Sequence, residues 1–101
     1  MTRAIGLVHV GLSAEILRDH SWIERAARRH GYQLARILSI DFDTYMPTTL
    51  IVSAAAQARA TVIITPDVDY LGIGYRAVPL ACAVLAPTGL IGRRSERADP
   101  P

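Results

Sequence analysis

The sequence contains no lysine: all eleven of its basic residues are arginine. That excludes a P-loop, whose lysine reaches the terminal phosphates of a nucleotide. Together with the many alanines it points to a GC-rich coding bias rather than to a functional choice of arginine. There is one cysteine, Cys82, so no internal disulfide can form, and a reducing cytoplasm is the expected setting. Its neighbours Leu80, Ala81, Ala83 and Val84 are apolar, the surroundings of a buried, inert thiol. Aromatic residues make up only 6% of the chain, few for a surface that stacks nucleic-acid bases. The longest apolar stretch, 77–91, falls short of the ~20 residues of a membrane span and is interrupted by Pro79 and Pro87. No signal peptide precedes the first apolar run, so the expectation is a soluble cytoplasmic protein with no membrane partner.

What is present suits one compact domain. The chain has 101 residues, is 50% hydrophobic and carries a formal charge of only +2, a length and composition sufficient for a real core. Ala4–Val10 (A-I-G-L-V-H-V) reads as a strand buried on both faces. Ser21-Trp22-Ile23-Glu24 has the form of a capping box, opening a helix with Trp22, Ile23, Ala26 and Ala27 on one side and Arg25, Arg28 and Arg29 on the other. Gly31 supplies its left-handed stop. Ser13 is placed to cap a preceding turn, Ala14–Arg18, broken near Asp19-His20. Gln33–Ile40 reads as a second strand, Asp41 to Pro47 as a loop, Thr48–Arg59 as a second helix and Thr61–Thr65 as a third strand. Arg76–Cys82 suits a short helix with Pro79 in its first turn, and Ala83–Ala86 a fourth strand. Residues 93–101 (R-R-S-E-R-A-D-P-P) have no apolar face and are expected to be disordered.

Strands alternating with helices imply an α/β fold: a three-layer sandwich around a mainly parallel four-stranded sheet, Rossmann-like in outline. Right-handed crossovers put the first strand at its centre. Ligands and chemistry gather at the carboxyl ends of such strands, which here are His9 to Ser13, Asp41 to Tyr45 and Pro66 to Gly72. Four carboxylates fall there: Asp41, Asp43, Asp67 and Asp69. They are candidate ligands for Mg²⁺ in phosphoryl chemistry or nucleotide binding. Asp67-Val68-Asp69 resembles the D-x-D of Toprim-type nucleases and primases, but the glutamate that family carries after its first strand is replaced by Val10-Gly11. Turn and cap duty is the competing reading of these aspartates. His9, alone at a strand end, reads as a hydrogen-bonded structural residue, and His20 and His30 as solvent-facing. Gly72-Ile73-Gly74 reads as linker. No serine–histidine–acid arrangement assembles itself from the spacing.

Three segments together resemble the catalytic domain of serine recombinases, the resolvases and invertases. Ile5-Gly6-Leu7-Val8-His9-Val10-Gly11 resembles their opening strand, commonly G-Y-x-R-V-S. Residues 27–34 (A-R-R-H-G-Y-Q-L) are similar to the exit of their first helix and their second strand. Residues 62–72 (V-I-I-T-P-D-V-D-Y-L-G) resemble their V-V-x-x-K-L-D-R-L-G-R segment. The resemblance implies a resolvase-like fold. In that family a serine hydroxyl attacks a DNA phosphodiester while arginines stabilise the charged phosphorus. Here the departures fall on the chemistry. The nucleophile's place is held by Gly11 and the preceding arginine's by His9. Asp69 matches the later acidic residue, but the arginines around it become Tyr70 and Ile73. Ser13, the nearest hydroxyl, stands two residues too far along. The segment after Gly74 is short and Pro-interrupted, unlike the long dimerising helix and DNA-binding region of the family.

The expectation is therefore a non-enzymatic recombinase-like domain, 1–92, that works as a homo-oligomer or with a protein partner and needs no cofactor. Tyr45, Met46 and Leu50, or the stretch 78–90, are the candidate contact surfaces. A second reading is the Mg²⁺-dependent one through Asp67, Asp69, Asp41 and Asp43. A third is association with DNA through Arg93, Arg94 and Arg97 in the tail and Arg25, Arg28 and Arg29 on the helix.

Overall fold

A computed structural model describes residues 1–92. Five strands form one sheet in the order β2-β1-β3-β4-β5: β1 Arg3–His9, β2 Gln33–Ile40, β3 Val62–Ile64, β4 Ala83–Ala86 and β5 Gly89–Ile91. The first four are parallel, and β5 returns antiparallel to β4. Helix α1 (Ile16–His30) crosses from β1 to β2, α2 (Pro47–Gln57) from β2 to β3, and the one-turn α3 (Val78–Ala81) leads into β4. β1 lies between β2 and β3, as right-handed crossovers require.

The alternation of β1 explains the three layers. Ile5 and Leu7 face one way, into a cluster with Ile51, Ala54 and Ala55 of α2, Ile63, Leu71, Val78 and Val84. Ala4 and Val8 face the other way, against Ile23, Ala26 and Ala27 of α1 with Ile64 and Leu85. Gly6 shares that second face, and a Cβ there would lie 2.7 Å from Ile23 Cγ2 and 3.0 Å from Ile37 Cγ1. A side chain at this position would push α1 off the sheet. Cys82 is buried, as its apolar neighbours implied. Among the described residues no helix is long and apolar enough to cross a membrane.

Four features differ from the sequence reading. Helix α1 is continuous from Ile16 and does not start at Ser21; its N-cap is Glu15, which makes no side-chain capping bond. The capping-box residues thus lie inside the helix, with Ser21 exposed. Residues Val68–Tyr75 are not linker but two 3-10 turns meeting at a kink, where Gly72 has φ 57° and ψ −134°, a conformation suited to glycine. The sheet gains a fifth strand, β5, because Pro87 and Thr88 turn the chain back and Gly89, at φ 127°, allows Leu90 and Ile91 to pair with Leu85 and Val84. Helix α2 begins at Pro47, one residue early, following Met46 at φ 48°. Other expectations hold: β2 has the bounds read from the sequence, Gly31 ends α1 in the left-handed conformation, and Pro79 lies in the first turn of α3.

Candidate functional site

The carboxyl end of the sheet is built from three loops. β1 runs into a tight turn in which the Leu12 and Ser13 N–H groups both donate to the His9 carbonyl, at 3.1 and 2.8 Å. The His9 ring folds over the same turn, and its Nδ1 accepts from the N–H groups of Gly11 (3.1 Å) and Leu12 (3.2 Å). An Nδ1 that accepts carries no proton, so the ring proton is on Nε2. His9 is buried, with its ring 4.7 Å from that of Phe42 and 6.3 Å from that of Tyr70. It is the hydrogen-bonded structural histidine that its position suggested.

Gly11 is packed beneath Phe42. A Cβ there would lie 2.5 Å from the Phe42 ring and 3.1 Å from His9 Cε1. Phe42 is itself exposed, so it would have to swing aside to admit any side chain.

Ser13, Asp19 and Tyr70 form a cluster that the sequence reading did not assemble. Asp19 Oδ2 accepts from Ser13 Oγ at 2.7 Å and from the Tyr70 hydroxyl at 2.6 Å. The carboxylate binds the turn after β1, the first turn of α1 and the 3-10 segment together. Tyr70 is 6% exposed. Burial chiefly, and then its bond to Asp19, raise its pKa above the ordinary tyrosine value. Nothing in the sequence marked the cluster: Ser13 and Asp19 stand among other polar residues, and the partner 51 residues away carried no local signal.

The other aspartates are engaged locally. Asp41 Oδ1 accepts from the Asp43 N–H (2.8 Å) and the Thr44 hydroxyl (3.2 Å). Asp67 Oδ1 accepts from the Asp69 N–H at 2.9 Å and caps the 3-10 segment, while the buried Thr65 hydroxyl donates to the Asp67 carbonyl. Both are turn geometries of the kind short acidic residues adopt. Among the described residues no group of three or more His, Cys, Asp or Glu side chains converges as a metal site would require. A hollow of about 430 Å³ beside Asp69 is lined otherwise by Val68, Gly72 and Tyr75, and the Arg76 Nε donates to the Tyr75 hydroxyl at 2.7 Å.

Arg18, in the first turn of α1, and Arg76, at the end of the 3-10 segment, are the arginines near these loops; the candidate contact arginines lie elsewhere. Arg25, Arg28 and Arg29 are exposed on the second half of α1, which runs toward the amino ends of the strands. Among the described residues no arginine hydrogen-bonds or ion-pairs with Ser13, Asp19 or Tyr70; Arg18, close in sequence, pairs with Glu15 at 3.4 Å. Position 73 falls within the 3-10 segment. Arg93, Arg94 and Arg97 lie outside the described residues.

No protein-family model and no curated protein matches the chain. Solved structures do. The N-terminal catalytic domain of TP901-1 integrase superposes with a TM-score of 0.65 at 9% identity, over 86% of this chain and 78% of that one. The C-terminal catalytic domain of ISC1926 TnpA, an IS607-like serine recombinase, superposes with a TM-score of 0.61 at 15% identity, over 76% of this chain and 60% of that one. The order of strands, the central β1 and the two helical layers are therefore shared with recombinase domains of unrelated-looking sequence, and the chain is a small α/β domain with the serine-recombinase catalytic fold.

Proposed function

We propose that this domain keeps the recombinase fold without its strand-transfer chemistry and acts through protein contacts, as a module that associates with copies of itself. The observation that supports it most is the composition of the carboxyl end of the sheet. Gly11 there offers no hydroxyl, and the Ser13 hydroxyl donates its hydrogen bond to Asp19. Glu15, Asp19, Asp41, Asp43, Asp67 and Asp69 lie on these loops and the first turn of α1, whose one arginine, Arg18, is paired with Glu15. A DNA phosphate entering there would meet carboxylates, and bringing like charges together is unfavourable at any dielectric. What the same loops do offer is apolar surface: Phe42, Tyr45, Met46 and Leu50 are all exposed. Exposed apolar groups clustered at one end of a small domain mark an interaction surface.

Sedimentation velocity from micromolar to hundreds of micromolar protein tests the reading. The expected result is a sedimentation coefficient that rises with concentration. A strict monomer that binds duplex DNA in a salt-sensitive manner would overturn it. That outcome would favour the alternative carried by Arg25, Arg28 and Arg29, for which binding would weaken steeply with salt.

A further inference from the structure

Two surfaces of the domain are complementary to each other. The first is the loop after β2, a knob in which Tyr45 is 85% exposed and Phe42 72% exposed, flanked by Asp41 and Asp43. Met46 is held there at φ 48°, a left-handed conformation that a non-glycine residue adopts at a cost and that tends to mark functional surface. The second is a groove between α1 and the β4–β5 hairpin, of about 240 Å³, lined by Trp22, Ala26, Arg29, His30, Pro87 and Leu90 among others. At ~30 Å³ per water that is room for about eight waters, which an aromatic side chain such as Tyr45 would displace. Its lining mixes apolar and polar surface, Arg29 borders it, and Arg25 lies one turn earlier on the same helix.

We infer that the aromatic, acidic knob after β2 of one molecule inserts into the Trp22- and Arg29-lined groove between α1 and the β4–β5 hairpin of a second copy. This rests on the self-association proposed above and names its surfaces. The charges match in sign, which orients the encounter and disfavours knob-to-knob pairing. Aromatic side chains seated in a pocket are the usual anchors of such contacts. The knob follows β2 at one edge of the sheet, and the groove borders β4 and β5 at the other. One molecule therefore cannot satisfy both, and the contact is heterologous: it propagates into a ring or an open chain and does not stop at a symmetric dimer.

Two surface variants test it. Asp43→Arg with Tyr45→Ala disables the knob, and Arg29→Glu with Leu90→Asp disables the groove; all four residues are exposed. By sedimentation equilibrium the full-length wild type is expected to exceed dimer mass as concentration rises, and each variant alone to stay monomeric. An equimolar mixture of the two retains one working knob and one working groove per pair. It is expected to reach twice the monomer mass and stop. If the wild type associates and the two variants associate equally well, the knob-and-groove pairing is wrong while self-association stands. If only one variant loses association, or the mixture remains monomeric, the contact is not heterologous and the inference fails. A wild type that stays monomeric throughout overturns both.

Discussion

Tyr70 carries the most testable single interaction at the sheet's carboxyl end. Its hydroxyl donates 2.6 Å to Asp19, and the folded state holds its proton more tightly than the unfolded chain does. That contribution is fully present below the unfolded tyrosine pKa of about 10 and is lost as the pH rises through the higher folded value. Thermal melts from pH 8 to 11 should show the wild type losing stability above pH ~10 more steeply than Tyr70→Phe. At neutral pH the same substitution should cost about 1.5 kcal/mol, the lower end for a hydrogen bond to a charged group because Asp19 is only half-buried. Gly6→Ala should destabilise by about 1–3 kcal/mol, the range for overpacking, because its Cβ would meet Ile23 and Ile37 in the core. Urea unfolding of the two proteins measures it. At this scale His9 and the turn aspartates were legible in the sequence, since their partners lie within three residues. The Ser13–Asp19–Tyr70 cluster was not, because no local pattern links positions 19 and 70.

Among the elements, those whose pattern is settled by burial were the easiest to read. β2 has its predicted ends because Gly31 stops the helix before it and a turn of short polar residues follows it. The start of α1 was misread for a physical reason. Asp19-His20 resembles a helix break when only neighbours are considered, but Asp19 spends its polarity on Ser13 and Tyr70, so the helix passes through it. Ser21→Ala separates the two readings in a melting experiment. A true N-cap would lose about 1 kcal/mol, whereas an exposed site inside a helix should change stability by less than ~0.5 kcal/mol. The 3-10 segment and β5 escaped because three or four residues are too few for a periodicity, and because β5 is specified by pairing with β4 rather than by its own composition.

Over the whole molecule, most carboxylates lie on the loops at the carboxyl end of the sheet, with Arg18 beside them, whereas Arg25, Arg28 and Arg29 lie toward the amino ends of the strands. The parallel sheet and its layers were legible because alternating strand and helix patterns permit few topologies. The segregation of charge was not, because it follows from the direction in which each element crosses the sheet. The fold predicts that Gly11→Ser does not create a recombinase: the added side chain would have to displace the Phe42 ring, and among the described residues no arginine is placed to partner its hydroxyl. The most direct measurement is to incubate wild type, Gly11→Ser and Ser13→Ala with supercoiled and randomised duplex DNA, denature the samples, and look for a covalent protein–DNA adduct. The account predicts no adduct and no nicking with any of the three. An adduct formed by the wild type and lost in Ser13→Ala would contradict it, because strand transfer would then be proceeding from the very hydroxyl assigned here to Asp19.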